Sequence, residues 1–213
     1  FGSLSHFKAD KAPEGATEYC LGGCKCKEEC PYDAEKIYIT NKKTGVRDNH
    51  GGWPCNALCV NPTEENVYEA IKTGPYGRCV YHCDNDVVDR QVVNLEFDNG
   101  AVAGFTMTAF TTDMARQLKV CGTKGQITAD MNANTVSLHR FGESGPREIT
   151  LETPPQTNNY GHGGGDYYLM RDFVRAVQSG GDGNLSSARV SLQSHLICFA
   201  AERSRVERRI VEL

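Results

Sequence analysis

The sequence predicts an α+β fold: an open, mostly antiparallel β-sheet of about six or more strands with helices packed on one face. Three observations predict it. Between residues 91 and 152, apolar and polar residues alternate in short runs, the period of a strand with one apolar face. Tight-turn signals such as Asp98-Asn-Gly100 and Gly122-Thr-Lys-Gly125 separate the runs and join antiparallel neighbours. Near the C-terminus the apolar spacing lengthens to that of a helix.

The chain reads as one domain, 1–213, in three zones. Residues 1–62 are irregular and rich in Gly, Cys, Lys and Asn, with one short helix expected near residues 32–38. A loop region of this length usually serves a site or an interface. Residues 63–74 predict a helix. Thr63 is the candidate N-cap, Glu64 and Glu65 suit the positive end of the helix dipole, and Gly74 stops the helix. Val67, Ala70 and Ile71 share its core face.

Six strands follow. Val93, Leu95 and Phe97 alternate with Asn94, Glu96 and Asp98; Ala103, Phe105 and Met107 alternate with Gly104, Thr106 and Thr108. Residues 117–121 and 126–130 flank the second turn, and 135–141 and 148–152 flank a third containing Gly142, Gly145 and Pro146. The apolar face of such a sheet needs cover. Two helices are expected to supply it, one capped by Asp166 and running to about residue 178, the other over about 188–209. In the second, Leu192, Leu196, Phe199 and Ala200 form a stripe.

Composition narrows the function. Hydrophobic residues are 39% and charged residues 23% of 213, enough to build a core and too apolar for a disordered chain. Lys plus Arg is 23 against 27 for Asp plus Glu, a formal charge of −4, which disfavours general nucleic-acid binding. No apolar run approaches the ~18 residues of a membrane span. The opening, Phe1-Gly-Ser-Leu-Ser-His-Phe-Lys8, has neither an initiator Met nor the basic and apolar segments of a signal peptide. The expectation is a cytoplasmic chain that is part of something longer.

Ten cysteines are a high count, unevenly spread. Cys20, Cys24, Cys26 and Cys30 follow a Cys-x3-Cys-x-Cys-x3-Cys spacing, close to the intervals between paired zinc ligands. Four thiolates would satisfy a tetrahedral ion and pin a loop without a core of its own. Cys83 could replace Cys26 if the loops meet. Disulfides and free thiols are the alternatives. Cys121 and Cys198 stand alone in a strand and a helix and are expected to be small buried apolar groups.

Tyr160-Gly-His-Gly-Gly-Gly-Asp166 precedes a helix, where backbone N–H groups can meet polar oxygens and glycines permit close approach. It is not a dinucleotide turn, because a loop precedes it rather than a strand. No Gly-x-Gly-x-x-Gly and no phosphate-binding Walker sequence occurs elsewhere. His162 could hydrogen-bond a substrate hydroxyl. Asp84, Asp86 and Asp89 lack the Gly and terminal Glu of a calcium loop. Arg90 either reaches a polar ligand or pairs with Asp86 or Asp89.

Taken in order, Cys30-Pro-Tyr-Asp-Ala-Glu-Lys-Ile-Tyr38, Val60-Asn-Pro-Thr-Glu-Glu-Asn66, Gly77-Arg-Cys-Val-Tyr-His-Cys-Asp-Asn-Asp86 and Val92-Val-Asn-Leu-Glu-Phe97 resemble the Gfo/Idh/MocA oxidoreductase family. Gly122-Thr-Lys-Gly-Gln-Ile127 is similar to that family's Gly-Thr-x-Gly hairpin, and Gly161-His-Gly-Gly-Gly-Asp166 to its substrate-side loop. The resemblance implies a C-terminal domain that binds substrate and oligomerises through its sheet, preceded by a Rossmann domain that binds NAD or NADP. The nucleotide turn and the Lys-Pro motif would belong to that preceding half, so no catalytic or cofactor-binding residue is assigned here. Tyr160, His162 and Asp166 are carried over as substrate contacts, and Arg90, at a strand entrance, is a further candidate substrate contact read from the residues. The implied substrate is a sugar, a polyol or a derivative. An NAD-dependent glycosidase of the same family and a metal-stabilised interaction module are the rival readings.

Overall fold

The computed structural model describes residues 1–112, 116–151, 162–181 and 187–213. The fold is α+β, with antiparallel sheets and helices, as the alternation predicts. The chain divides into two compact units, Phe1–Phe110 and Thr111–Leu213.

In the first unit, strands β1 (Gly2–Ser3), β2 (Arg90–Glu96) and β3 (Val102–Thr108) form a sheet in the order β1-β2-β3. The β2–β3 register sets Gln91 opposite Met107, Val93 opposite Phe105 and Leu95 opposite Ala103. Directly opposed residues share a sheet face. Val93, Leu95, Ala103, Phe105 and Met107 therefore lie together on one face, as their spacing predicts. Strand β1 adds an edge not read from the sequence, because two residues carry no periodicity.

Helix α1 (Val46–Asn49) and helix α2 (Glu64–Thr73) sit between β1 and β2. Thr63 caps α2 as expected: its hydroxyl accepts from the Asn66 N–H, while the Asn66 side chain accepts from the Thr63 N–H. Val67 and Ile71, one turn apart, are fully buried, and with Ala34, Ile39, Val46 and Cys55 they make the core. The expected helix near 32–38 is a short turn continuing into a π-helical turn over Lys36–Thr40. Asp33 opens it by accepting the Lys36 N–H at 2.9 Å.

In the second unit, β4 (Gln117–Gly122), β5 (Gly125–Asp130), β6 (Thr135–Arg140) and β7 (Arg147–Ile149) form a meander. Val120, Ile127 and Leu138 stand in one row, which Arg147 ends, and Leu118, Ala129, Val136 and Ile149 stand in the next, giving a largely apolar face. Lys119, Thr128, Ser137 and Glu148 make a row on the opposite face. Helices α3 (Gly165–Gln178) and α4 (Ala188–Glu207) complete the unit.

Three details differ from the sequence reading. Gly164, with φ 93°, caps α3, and Asp166 lies in its first turn instead. Leu192, Leu196 and Phe199 of α4 are exposed, and no residue of α4 is buried. Cys121 and Cys198 are exposed rather than buried, because the β4 and α4 surfaces that carry them are open. Among the described residues no helix is long and apolar enough to cross a membrane.

Candidate functional site

The Gly-rich loop ends in a 3-10 turn, His162–Gly164, that leads directly into α3. His162 adopts a positive φ of 55° there, and the turn brings its ring back over the helix start. His162 Nδ1 lies 2.9 Å from Asp166 Oδ1. A carboxylate has no proton to give, so the imidazole donates from Nδ1, and in the neutral ring this leaves Nε2 as an acceptor. The His162 side chain is 85% exposed, which leaves Nε2 within reach of a solute. Asp166 gains from its place in the first helical turn, where the dipole favours negative charge. Tyr160, the third expected contact in this loop, lies outside the described residues.

Arg90 lies in the first unit, at the start of β2, opposite Thr108 and beside Ser3. Its side chain is exposed and forms no ion pair among the described residues. Asp89 is not its partner, because the Asp89 carboxylate turns inward. It accepts from the Ser5 N–H at 2.8 Å, the His6 N–H at 2.6 Å and the Ser5 hydroxyl at 3.1 Å. Burial alone would push this carboxyl up. The N–H groups of His6, Ser5 and Phe7 and the Ser5 hydroxyl together outweigh it and hold the carboxyl below its usual range. The clamp presents His6 and Phe7 to Tyr32, Tyr81 and Phe110 in an aromatic cluster, and Tyr81 Oη lies 3.1 Å from His6 Nε2.

The cysteine segment folds back on a second one. Tyr19 bridges Arg78 in antiparallel fashion, the Cys20 N–H donates to the Gly77 carbonyl at 2.9 Å, and the Cys79 N–H donates to the Glu18 carbonyl at 2.8 Å. Cys20, Cys24, Cys26, Cys30 and Cys79 thereby line one small cavity, together with the buried Asp33. Burial raises the Cys20 thiol, with Asp33, Cys79 and Cys30 adding to the effect and the Ala34 N–H opposing it. Cys26 is raised as well, by burial first and then by Cys24. All ten cysteines are free thiols. Among the described residues no three His, Cys, Asp or Glu side chains are set to hold a metal ion.

Comparison with known proteins identifies the class. Residues 58–213 match the model of the oxidoreductase family's C-terminal alpha/beta domain. The chain belongs to this family, Gfo/Idh/MocA, as its C-terminal domain. It is 24% identical over 194 residues to the protein named Putative oxidoreductase YteT from Bacillus subtilis (strain 168). That alignment covers 81% of this chain and 40% of the relative, so the chain spans less than half of the relative's length. No solved structure matches it.

Sequence reasoning missed Cys79, the Asp89 clamp and the aromatic cluster. Cys79 reaches the cavity through the bridge between Tyr19 and Arg78, which no local pattern encodes. Asp89 reads as a surface acid because its partners are backbone N–H groups more than eighty residues away.

Proposed function

We propose that this chain is the substrate-side domain of an NAD(P)-dependent oxidoreductase acting on a sugar, a polyol or a derivative. Its membership in the family carries the reading. The His162–Asp166 pair supports it with a polar group suited to a hydroxyl. Nε2 of His162 accepts a hydrogen bond from a substrate hydroxyl, Asp166 fixes the ring, and Tyr160 of the same loop supplies a further polar contact.

The nucleotide belongs to a preceding Rossmann domain, since this chain contains no Gly-x-Gly-x-x-Gly to hold it. The cofactor carries the hydride chemistry, and these residues bind and orient. The open apolar face of the β4–β7 sheet supports the association of copies through that face.

The experiment takes the whole gene product and assays it against a panel of polyols and sugars with NAD or NADP. Accumulating NADH or NADPH is the expected result, with no turnover by residues 1–213 alone. Release of free sugar at constant NADH would assign glycosidase chemistry instead. Turnover by the isolated chain would overturn the division of labour.

A further inference from the structure

The ten thiols sort into three groups. Four give their hydrogen to an oxygen: Cys26 to the Glu14 carbonyl at 3.0 Å, Cys55 to the Thr44 carbonyl at 3.1 Å, Cys59 to Asn66 Oδ1 at 3.3 Å, and Cys83 to the Cys79 carbonyl at 3.3 Å. Two, Cys121 and Cys198, are exposed in the second unit. The remaining four, Cys20, Cys24, Cys30 and Cys79, donate to no oxygen among the described residues, and all four line the same cavity.

We propose that Cys20, Cys24, Cys30 and Cys79, which line one cavity without being set as ligands in it, close on one structural zinc ion that ties the 18–30 segment to the 77–79 segment. Cys79 thus takes the place that spacing alone gives to Cys26. The assignment is independent of the oxidoreductase reading.

Chemistry selects the occupant. Four sulfur donors select a thiophilic cation over calcium or magnesium, and a site closed by four protein ligands is structural. Binding follows Zn²⁺ + 4 RSH → Zn(SR)₄²⁻ + 4 H⁺, with the protons passing to solvent. Asp33, engaged with the Lys36 N–H, stands as an outer group. The thiols line the cavity without converging, so the ion must draw each sulfur to about 2.3 Å. Metal binding and loop closure are therefore one event.

The test uses the full gene product, purified with and without added zinc. The expected metal content is one zinc per chain, and replacement by Co²⁺ should give the near-ultraviolet sulfur-to-metal band of a tetrahedral thiolate site. Cys79→Ser should weaken zinc retention by more than ~100-fold, beyond the loss of an outer-shell partner. Cys26→Ser and Cys83→Ser should leave metal content and band unchanged. Should Cys79→Ser fail to fold, alkylation of the zinc-loaded wild type decides. Protection of Cys20, Cys24, Cys30 and Cys79, with Cys26 and Cys83 reacting, supports the assignment. No cobalt band, a disulfide among the four, or loss of metal on Cys26→Ser with retention on Cys79→Ser would each overturn it.

Discussion

The Asp89 carboxylate accepts the backbone N–H of His6 at 2.6 Å, so the acid that closes the approach to β2 also holds the entering N-terminal segment. The neighbouring Ser5 N–H points at the same oxygen, 2.8 Å away. Asp89 is 3% exposed, and besides the Ser5 hydroxyl its donors are the Ser5 and His6 N–H groups, which no side-chain change at positions 5 or 6 can remove. Truncation by Asp89→Ala strands those N–H groups, and stranded buried donors cost about 1–3 kcal/mol each. The expected loss is about 3 kcal/mol, read as a shift in the urea midpoint. Freed from the clamp, β1 should also lose amide-exchange protection. A change below about 0.5 kcal/mol would show that the clamp does not hold the segment.

The same carboxyl sets a pH dependence. Its folded-state pKa is depressed below the value of about 3.9 for an unfolded Asp. Its contribution to stability is therefore complete above that unfolded value and is lost as pH falls through the folded one. Asp89→Asn keeps the shape and removes the charge. The stability gap between wild type and Asp89→Asn should be constant near neutrality and should narrow below about pH 4. A gap that widens in acid would contradict the depressed pKa.

Gly77 is the hinge between the core and the cysteine cavity. Its carbonyl accepts the Cys20 N–H, and a Cβ on it would stand 1.6 Å from the Ile71 carbonyl oxygen at the end of α2. That oxygen is backbone and cannot swing aside. Gly77→Ala must displace the 77–79 segment, at about 3 kcal/mol or more. The displacement should also open the thiol cavity, raising the alkylation rate of Cys20 and Cys79 together. Unchanged melting would mean that the turn after α2 is softer than its packing implies.

The contrast between what the sequence disclosed and what it concealed follows from range. The strands β2 to β7 were legible because alternation is local, and the register then places Val120, Ile127 and Leu138 in one row without further information. The Thr63 cap was legible because Asn66 lies three residues away. Asp89, Cys79 and the ring cluster of His6, Tyr32, Tyr81 and Phe110 draw partners from segments far apart in sequence. Such contacts carry no period. The Asp166 cap failed for a different reason: Gly164 can take φ 93° where a side-chain cap would otherwise be needed, and this frees the Asp166 side chain for His162.

That freedom gives the last prediction. Asp166 fixes the His162 ring through a 2.9 Å contact. In the full enzyme, Asp166→Asn keeps the size but exchanges an acceptor-only carboxylate for an amide that can also donate. The imidazole then loses its preference for protonation at Nδ1, and Nε2 no longer reliably faces a hydroxyl as acceptor. The expected effect is roughly tenfold in kcat/KM, equivalent to about 1.4 kcal/mol. His162→Ala, which removes the acceptor, should cost more. The double variant should cost little beyond His162→Ala, because Asp166 acts through His162. Additive losses would mean that Asp166 touches the substrate itself, and its place in the first turn of α3 would then be the binding position.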